Sequence, residues 1–381
     1  MLLDRLVSFF TSIKLTVVLL VLGLVLVFIG TLAQVDLGLY EVQRRFFQSY
    51  LVTWGPASAS WRIPVFPGGY LIGGLLFINL VCSLLTMGLN PRKLGIIVIH
   101  VGLILLLVGQ FATDKLASEG MMHLRIGETA NYSESDRRHE LVIIDTSDPK
   151  ESSVVAIPES LLAEGKTIET GLPFRVKVRE FMPNSSLARE AVNGFTKSPA
   201  TAGLGATVWY RGEPPVTKMD DRDAPTVLFD LESPNGDKLG TFLLSRYFER
   251  LEHVDIGGKH YDLGLRVRRY YKPFSLNLVE FHHDVYKGTM IPKNFSSLVR
   301  LENPANGERR EVKIYMNNPL RYGGYTFYQS GFDQDNQGST LQVVRNPSWL
   351  TPYLACLIVG AGLLMQFMMH LIPFLKRKTQ S

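Results

Sequence analysis

The chain has 381 residues, 46% of them hydrophobic and 20% charged, with a formal net charge of +5. These values exclude a disordered chain, a collagen-like repeat and a disulfide scaffold, and the length fits two or three structural units. Its only cysteines, Cys82 and Cys356, lie far apart in apolar runs with no C-x-x-C, so they read as buried, inert thiols. Much of the basic excess flanks apolar segments, which points to membrane topology and away from nucleic acid.

The first element is an apolar run from Leu15 to Ala33 with no internal charge. About 20 apolar residues cross a bilayer as a helix, because only a helix satisfies its own backbone in lipid. The run is too long for a signal-peptide core and no A-x-A site follows, so it reads as a retained span. Residues 35–69 follow as a loop. Leu39, Val42, Phe46, Tyr50, Leu51 and Trp54 recur there at helical spacing, with Glu41, Gln43, Arg44 and Arg45 between them. That pattern predicts an amphipathic helix lying at the membrane interface, or one packed on the outer domain. Spans two and three, Tyr70–Leu89 and Leu94–Ala112, are separated only by Asn90-Pro91-Arg92-Lys93 and must form an antiparallel hairpin. The fourth span is Leu350–Ile372.

Lys and Arg in short flanks set the orientation. Arg5 and Lys14, Arg92 and Lys93, and Lys376, Arg377 and Lys378 all fall on one side, which is therefore expected to be cytoplasmic. Arg44, Arg45 and Arg62 oppose this bias from the other side.

Residues 113–349 read as β throughout. Phe174–Arg179 alternates strictly, as a half-buried strand does. Asn235-Gly236 and Asn306-Gly307 are hairpin signals, since tight hairpins need positive φ. Residues 184–225 are rich in Gly, Pro and Ala and read as a long loop or insertion. The expected fold is thus membrane α plus all-β: four transmembrane helices with a large extracytoplasmic β-sandwich-like or open-barrel domain. The division is 1–34 tail and first span; 35–69 loop; 70–112 hairpin of spans; 113–349 β domain; 350–381 last span and basic tail.

No phosphate loop, H-E-x-x-H or G-x-S-x-G is present, which argues against a conventional soluble enzyme. The sharpest signal is His100, inside span three. An imidazole in hydrocarbon is costly and should face a partner, a cavity or a cofactor. Neutral His ligates metals and haem iron, and it also hydrogen-bonds polar neighbours such as Asn79 on the adjacent span. Gly102 lets a flat ligand or another helix approach closely. Asn79, Thr86 and Gln366 read as helix–helix glue, and His370 as a residue that snorkels to the interface. His282 and His283 are adjacent in a strand and point to opposite faces. Together with His123, His139, His253 and His260 they lack ligand spacing and read as surface or edge residues.

Several blocks carry a resemblance. Ser12-Ile13-Lys14-Leu15-Thr16 with Gly30-Thr31-Leu32-Ala33-Gln34, Asn79-Leu80-Val81-Cys82, and His100-Val101-Gly102-Leu103 with Gly109 lie in the spans. Pro292–Ser297, Met316–Leu320 and Tyr322–Ser330 lie in the β domain. The chain resembles the ResB (CcsB) family of System II cytochrome c biogenesis, over nearly its whole length. No tryptophan-rich W-W-D segment is present, so it is similar to the ResB half and not to a fusion with ResC (CcsA).

The resemblance implies a subunit of a cytochrome c synthase complex in the cytoplasmic (inner) membrane, its large domain periplasmic. It implies haem b as the transported ligand, and a ResC/CcsA-type protein, apocytochrome c and the lipid bilayer as partners. The complex would carry haem across the membrane to the C-x-x-C-H of apocytochrome c. His100 matches the family's transmembrane histidine, which implies an axial haem ligand, the other being supplied by the partner. Arg92 and Lys93, about 10 Å from His100 along the helix, are expected to contact haem propionates or to serve only as topology signals. The resemblance places the bond-forming site on the partner and leaves this chain non-catalytic or co-catalytic. The alternative is a membrane scaffold or anchor subunit that binds no haem and whose β domain docks a partner protein.

Overall fold

The computed structural model describes residues 2–55, 61–88, 90–148, 151–216, 221–289 and 291–379. They form two compact units, one from residues up to 118 and from 345 onward, the other from 119–216 and 221–344.

The helix unit contains α1 (Leu2–Phe10), α2 (Ile13–Val42), a π-helical turn (Gln43–Phe47), strands β1 (Leu51–Trp54) and β2 (Ile63–Pro67), α3 (Gly69–Met87), α4 (Leu94–Leu116) and α5 (Thr351–Thr379). Four of these segments are long and apolar enough to cross a membrane, so the chain is a multi-pass membrane protein. They run up and down in turn. Thr16 meets Asn79, Tyr70 meets Asp114, and Gly102 meets Val359, which makes each successive pair antiparallel. Gln380 and Ser381 of the basic tail and Leu89 of the second span lie outside the described residues.

α1 is an element the apolar-run argument passed over, because Asp4 and Arg5 interrupt its pattern. The helical spacing read from Leu39 to Trp54 holds only in part. Helix carries Leu39, Val42 and Phe46, whereas Leu51 and Trp54 belong to β1, paired antiparallel with β2. A strand of four residues places alternate side chains on one face, so a few apolar positions satisfy both periods. Gly38, at φ 75°, breaks α2 and turns the chain back on itself. The returning segment sets Phe47 and Val42 against Gly30, where a Cβ would sit 3.0 Å from the Phe47 ring.

The β unit comprises β3 (Ser118–Arg125), β4 (Thr129–Asp145), β5 (Ser153–Pro158), β6 (Thr167–Glu169), β7 (Arg175–Met182), β8 (Ser185–Ala188), β9 (Thr196–Lys197), β10 (Trp209–Gly212), β11 (Thr226–Glu232) and β12 (Lys238–Ser245). It continues with β13 (Glu252–Ile256), β14 (Lys259–Val285), β15 (Pro292–Asn303), β16 (Glu308–Tyr315), β17 (Leu320–Tyr322), β18 (Tyr325–Phe332) and β19 (Gly338–Arg345). A ten-stranded sheet runs β16-β15-β14-β4-β3-β19-β18-β17, with β13 and β5 at its side. A four-stranded sheet, β12-β11-β7-β6, packs on part of it.

The long strands β4 and β14 serve two cores. At one end, Leu141, Ile143 and Leu263 pack against Val176, Phe229 and Leu231 as in a sandwich. At the other, Leu276, Leu278, Val299, Phe327 and Leu341 fill the inside of a nearly closed barrel. The expected sandwich-like or open-barrel domain is therefore present, with both arrangements in one sheet. Residues 184–225 are not a bare loop. Their described part holds the small sheet β8-β10-β9, which covers Met182, Leu228 and Leu243 with Val208 and Tyr210. Its strands have two to four residues, too short to register as alternation in sequence.

Candidate functional site

Within the membrane-capable helices, polar side chains are few. Asn79 is 2% exposed. Its Nδ2 donates to the Phe10 carbonyl at 2.6 Å, and its Oδ1 accepts from Thr16 Oγ1 at 2.8 Å. Thr16 and Asn79 come from separate motif blocks, and this bond ties α2 to α3. Thr86 Oγ1 returns to its own helix at Cys82 O, 2.9 Å away. Gln366 Nε2 lies 2.9 Å from His370 Nε2 one turn on, and its buried Oε1 lies against Gly95 without a partner among the described residues.

The glycines of α4 form a seven-residue stripe against α5. A Cβ on Gly102 would lie 2.6 Å from Val359 Cγ2 and 3.1 Å from Ala355 O. One on Gly95 would strike Gln366, and one on Gly109 would strike Thr351. The close approach anticipated at Gly102 is thus made by another helix, in the small-residue packing that lipid favours. Cys356 lies on the exposed side of α5 and Cys82 is half-buried in α3, so neither is the fully buried thiol expected from apolar surroundings. In a membrane helix, an apolar run faces lipid as readily as a core.

His100 is half-buried on α4. At 3.6 residues per turn it lies roughly 140–160° around the helix from Gly95 and Gly102, on the side away from α5. Its Nδ1 is 2.9 Å from the carbonyl of Ile96. A carbonyl only accepts, so Nδ1 carries the proton and Nε2 of the neutral ring carries the lone pair. Among the described residues Nε2 has no hydrogen-bond partner, and Asn79, the neighbour considered for it, is committed to Phe10 and Thr16.

Arg92 and Lys93 lie in a 3₁₀ turn at the start of α4, exposed, with Asn90 Oδ1 accepting from Arg92 N at 3.0 Å. Lys93 is seven residues before His100, nearly two turns, hence on about the same side. The positive end of the helix dipole adds to their charge there.

The six remaining histidines each meet a polar side chain: His123 with Asp333, His139 with Glu159, His253 with Asp262, His260 with Asp255, His282 with Glu280 and His283 with Asn336. His139 is 5% exposed and so is a buried residue, contrary to its reading as surface. Among the described residues no three His, Cys, Asp or Glu side chains gather as a metal site.

In the β unit the motif blocks turn out to be folding devices. Ser297 Oγ donates to Gln329 Oε1 at 2.6 Å, joining the Pro292–Ser297 block to the Tyr322–Ser330 block. Gln329 Nε2 reaches Gly331 O at 3.0 Å and Ser339 Oγ at 2.9 Å. Asn317, Gly323 and Gly324 supply positive φ angles at two turns.

Two features carry no sequence signal. Lys272 is 4% exposed, its Nζ held by Ser133 Oγ at 2.8 Å and Tyr270 O at 3.0 Å, and burial pulls its pKa down to about 8. At one end of α3 and α4, Tyr70 donates to Asp114, which also accepts from Gln48 Nε2 at 2.5 Å, while Lys115 Nζ reaches Tyr70 Oη at 2.6 Å. Both clusters form across elements far apart in sequence.

Residues 252–340, the strands β13 to β18 and the start of β19, match the model of the ResB-like family. Protein NrfI of Wolinella succinogenes is 25% identical over 298 residues, which cover 76% of this chain and 29% of that relative. The chain therefore spans under a third of the length of the protein it matches. The family segment takes in the barrel half of the β unit and, through β13 and the first part of β14, an edge of the sandwich half; of the helix motif blocks, Thr16 pairs with Asn79. Both comparisons bear out the likeness read from the motifs: this multi-pass membrane protein resembles the ResB-like family in its β unit and is similar to Protein NrfI over most of its length.

Proposed function

We propose that this chain is a subunit of the membrane machinery of cytochrome c biogenesis and that it holds haem in transit through His100. The ResB-like match and the relative support the role in cytochrome c biogenesis. Haem handling rests on one observation, the half-satisfied imidazole. Nδ1–H bonded to a backbone carbonyl is the usual way a protein fixes the tautomer and orientation of an iron-ligating His. The arrangement leaves Nε2 free in an apolar helix, where an unused polar atom is costly.

Haem is here the cargo, and His100 would supply one axial ligand, the partner the other. The residues present fit that task. Leu103, Ile104 and the other aliphatic residues of α4 suit a porphyrin face. Lys93 and Arg92, at the positive end of the helix, suit propionates. The glycine stripe is already filled by α5, so the porphyrin side is the opposite face of α4. Sidedness follows the basic flanks, with the β unit on the side away from Lys14 and Arg92. A ResC/CcsA-type protein would complete the site and join haem to apocytochrome c.

The test is the visible spectrum of the chain purified with its W-W-D partner, wild type against His100→Ala and Asn79→Ala. Loss of the Soret band in His100→Ala alone supports the reading. An unchanged band in that variant rejects His100 as ligand.

A further inference from the structure

Arg44, Arg45 and Arg62 lie at the end of the helix unit away from Lys14, Arg92 and Lys93. Basic residues there oppose the orientation signal, so topology does not explain them. The structure gathers all three around one cavity of about 340 Å³, with Ser49 and Thr53 also on its wall. The buried carboxylate of Glu41 pairs with Arg44 at 2.8 Å and with Arg45. Arg62 has no ion-pair partner among the described residues. One carboxylate against three guanidiniums leaves two positive charges on this wall available to an anion.

A second cavity of about 280 Å³ shares Arg45 and Thr53 with the first. It is apolar, with Leu26 and Ile29 of α2 on one side and Phe46, Val52 and Phe66 on the other. Gly38 and the π turn create it by folding the chain back beside α2. Leu26 and Ile29 belong to a membrane-capable segment, so the slot lies toward the hydrocarbon and the arginines toward the headgroups. The pair of cavities fits a molecule with an anionic head and an apolar tail. Among the described residues neither wall includes His, Met, Cys or Tyr, so iron porphyrin would find no axial ligand among them. A small soluble anion would leave the slot unfilled.

We propose that Arg44, Arg45 and Arg62, with the slot between α2 and the β1–β2 hairpin, form a binding site for an anionic glycerophospholipid. The phosphate lies among the guanidiniums and one acyl chain enters the slot, bracing the hairpin on α2. This site is separate from His100 and does not depend on haem handling.

The test is native mass spectrometry of the full chain with phosphatidylglycerol or phosphatidylcholine. Phosphatidylglycerol is expected to bind about tenfold more tightly, and Arg62→Gln to remove about tenfold of that affinity while Arg62→Lys keeps most of it. Arg62→Gln should leave the lipid-free unfolding midpoint unchanged, since Arg62 has no ion-pair partner among the described residues. Ile29→Trp, which fills the slot, should also weaken phosphatidylglycerol. Equal binding of the two lipids, or unaltered affinity in Arg62→Gln, overturns the proposal. So does full displacement of the lipid by inorganic phosphate, which would mark a free-anion site, or by haem with a shifted Soret band.

Discussion

Asn79 and His100 sit on neighbouring helices of the same unit and are both polar groups in an apolar setting, yet the structure treats them differently. Asn79 engages both ends of its amide, Nδ2 with the Phe10 carbonyl and Oδ1 with the Thr16 hydroxyl. His100 uses one nitrogen on its own helix and keeps the other. The first arrangement is what holds helices together in lipid, where each unmade bond is expensive. The second leaves a nitrogen to which a group beyond the described residues could bond. The contrast shows that a polar residue in a span is read by how much of its bonding capacity its own fold consumes.

The strongest way to break that contrast is to swap the consequences. His100→Ala should abolish haem retention in the complex, by tenfold or more, while leaving the unfolding midpoint near wild type. Absorbance and a thermal melt on the same sample check both halves. Asn79→Ala should do the reverse, keeping haem and losing about 1–3 kcal/mol through the Phe10 carbonyl and the lost bond to Thr16, whose hydroxyl retains only Ser12 O at 3.3 Å. If Asn79→Ala lost haem at an unchanged midpoint, the two residues would not divide labour as described.

Gly102→Val sharpens the comparison from the other face of α4. Its Cβ would meet Val359 at 2.6 Å and α5 backbone at 3.0 Å, so the helices must separate. A loss of about 1–3 kcal/mol is expected, seen as a lower melting midpoint in detergent. Gly88→Val serves as the control for space, since nothing lies within 4 Å of a Cβ there, although its φ of 65° strains any side chain.

Lys272 extends the comparison to the β unit, where a buried amine has oxygen partners but among the described residues no carboxylate within an ion-pair distance. Its pKa falls from the ordinary 10.5 to about 8. The folded unit therefore binds fewer protons than the unfolded chain between these values, and stability rises with pH across that window. The contribution is complete above about 10.5 and is lost as pH falls through about 8. Its size is on the order of 3 kcal/mol. Lys272→Met should flatten the rise, measured as the difference in melting midpoint between wild type and variant at pH 7 and pH 10.

The spans were legible because length and hydropathy decide them, and so were the hairpins at Gly236 and Gly307, because only a few residues accept positive φ. The small sheet around Val208 and Tyr210 was not, since strands of two to four residues carry no period. His100 was legible as an anomaly. That its Nδ1 is occupied and its Nε2 has no partner among the described residues belongs to the rotamer and the neighbouring backbone, which no spacing rule encodes.

The amino-acid order by itself determined that this chain has four membrane-capable helices, carries a β unit between the last two, and resembles the ResB family in its motif blocks. Those are matters of local composition and short-range pattern. Only the tertiary structure decided that Thr16 satisfies Asn79, that Gly102 is spent on α5, that Ser297 meets Gln329, and that three arginines from a split loop converge on one cavity. Each of these joins residues distant in sequence, and a hydrogen bond or a close approach is fixed by distances of tenths of an ångström that the folded chain alone sets.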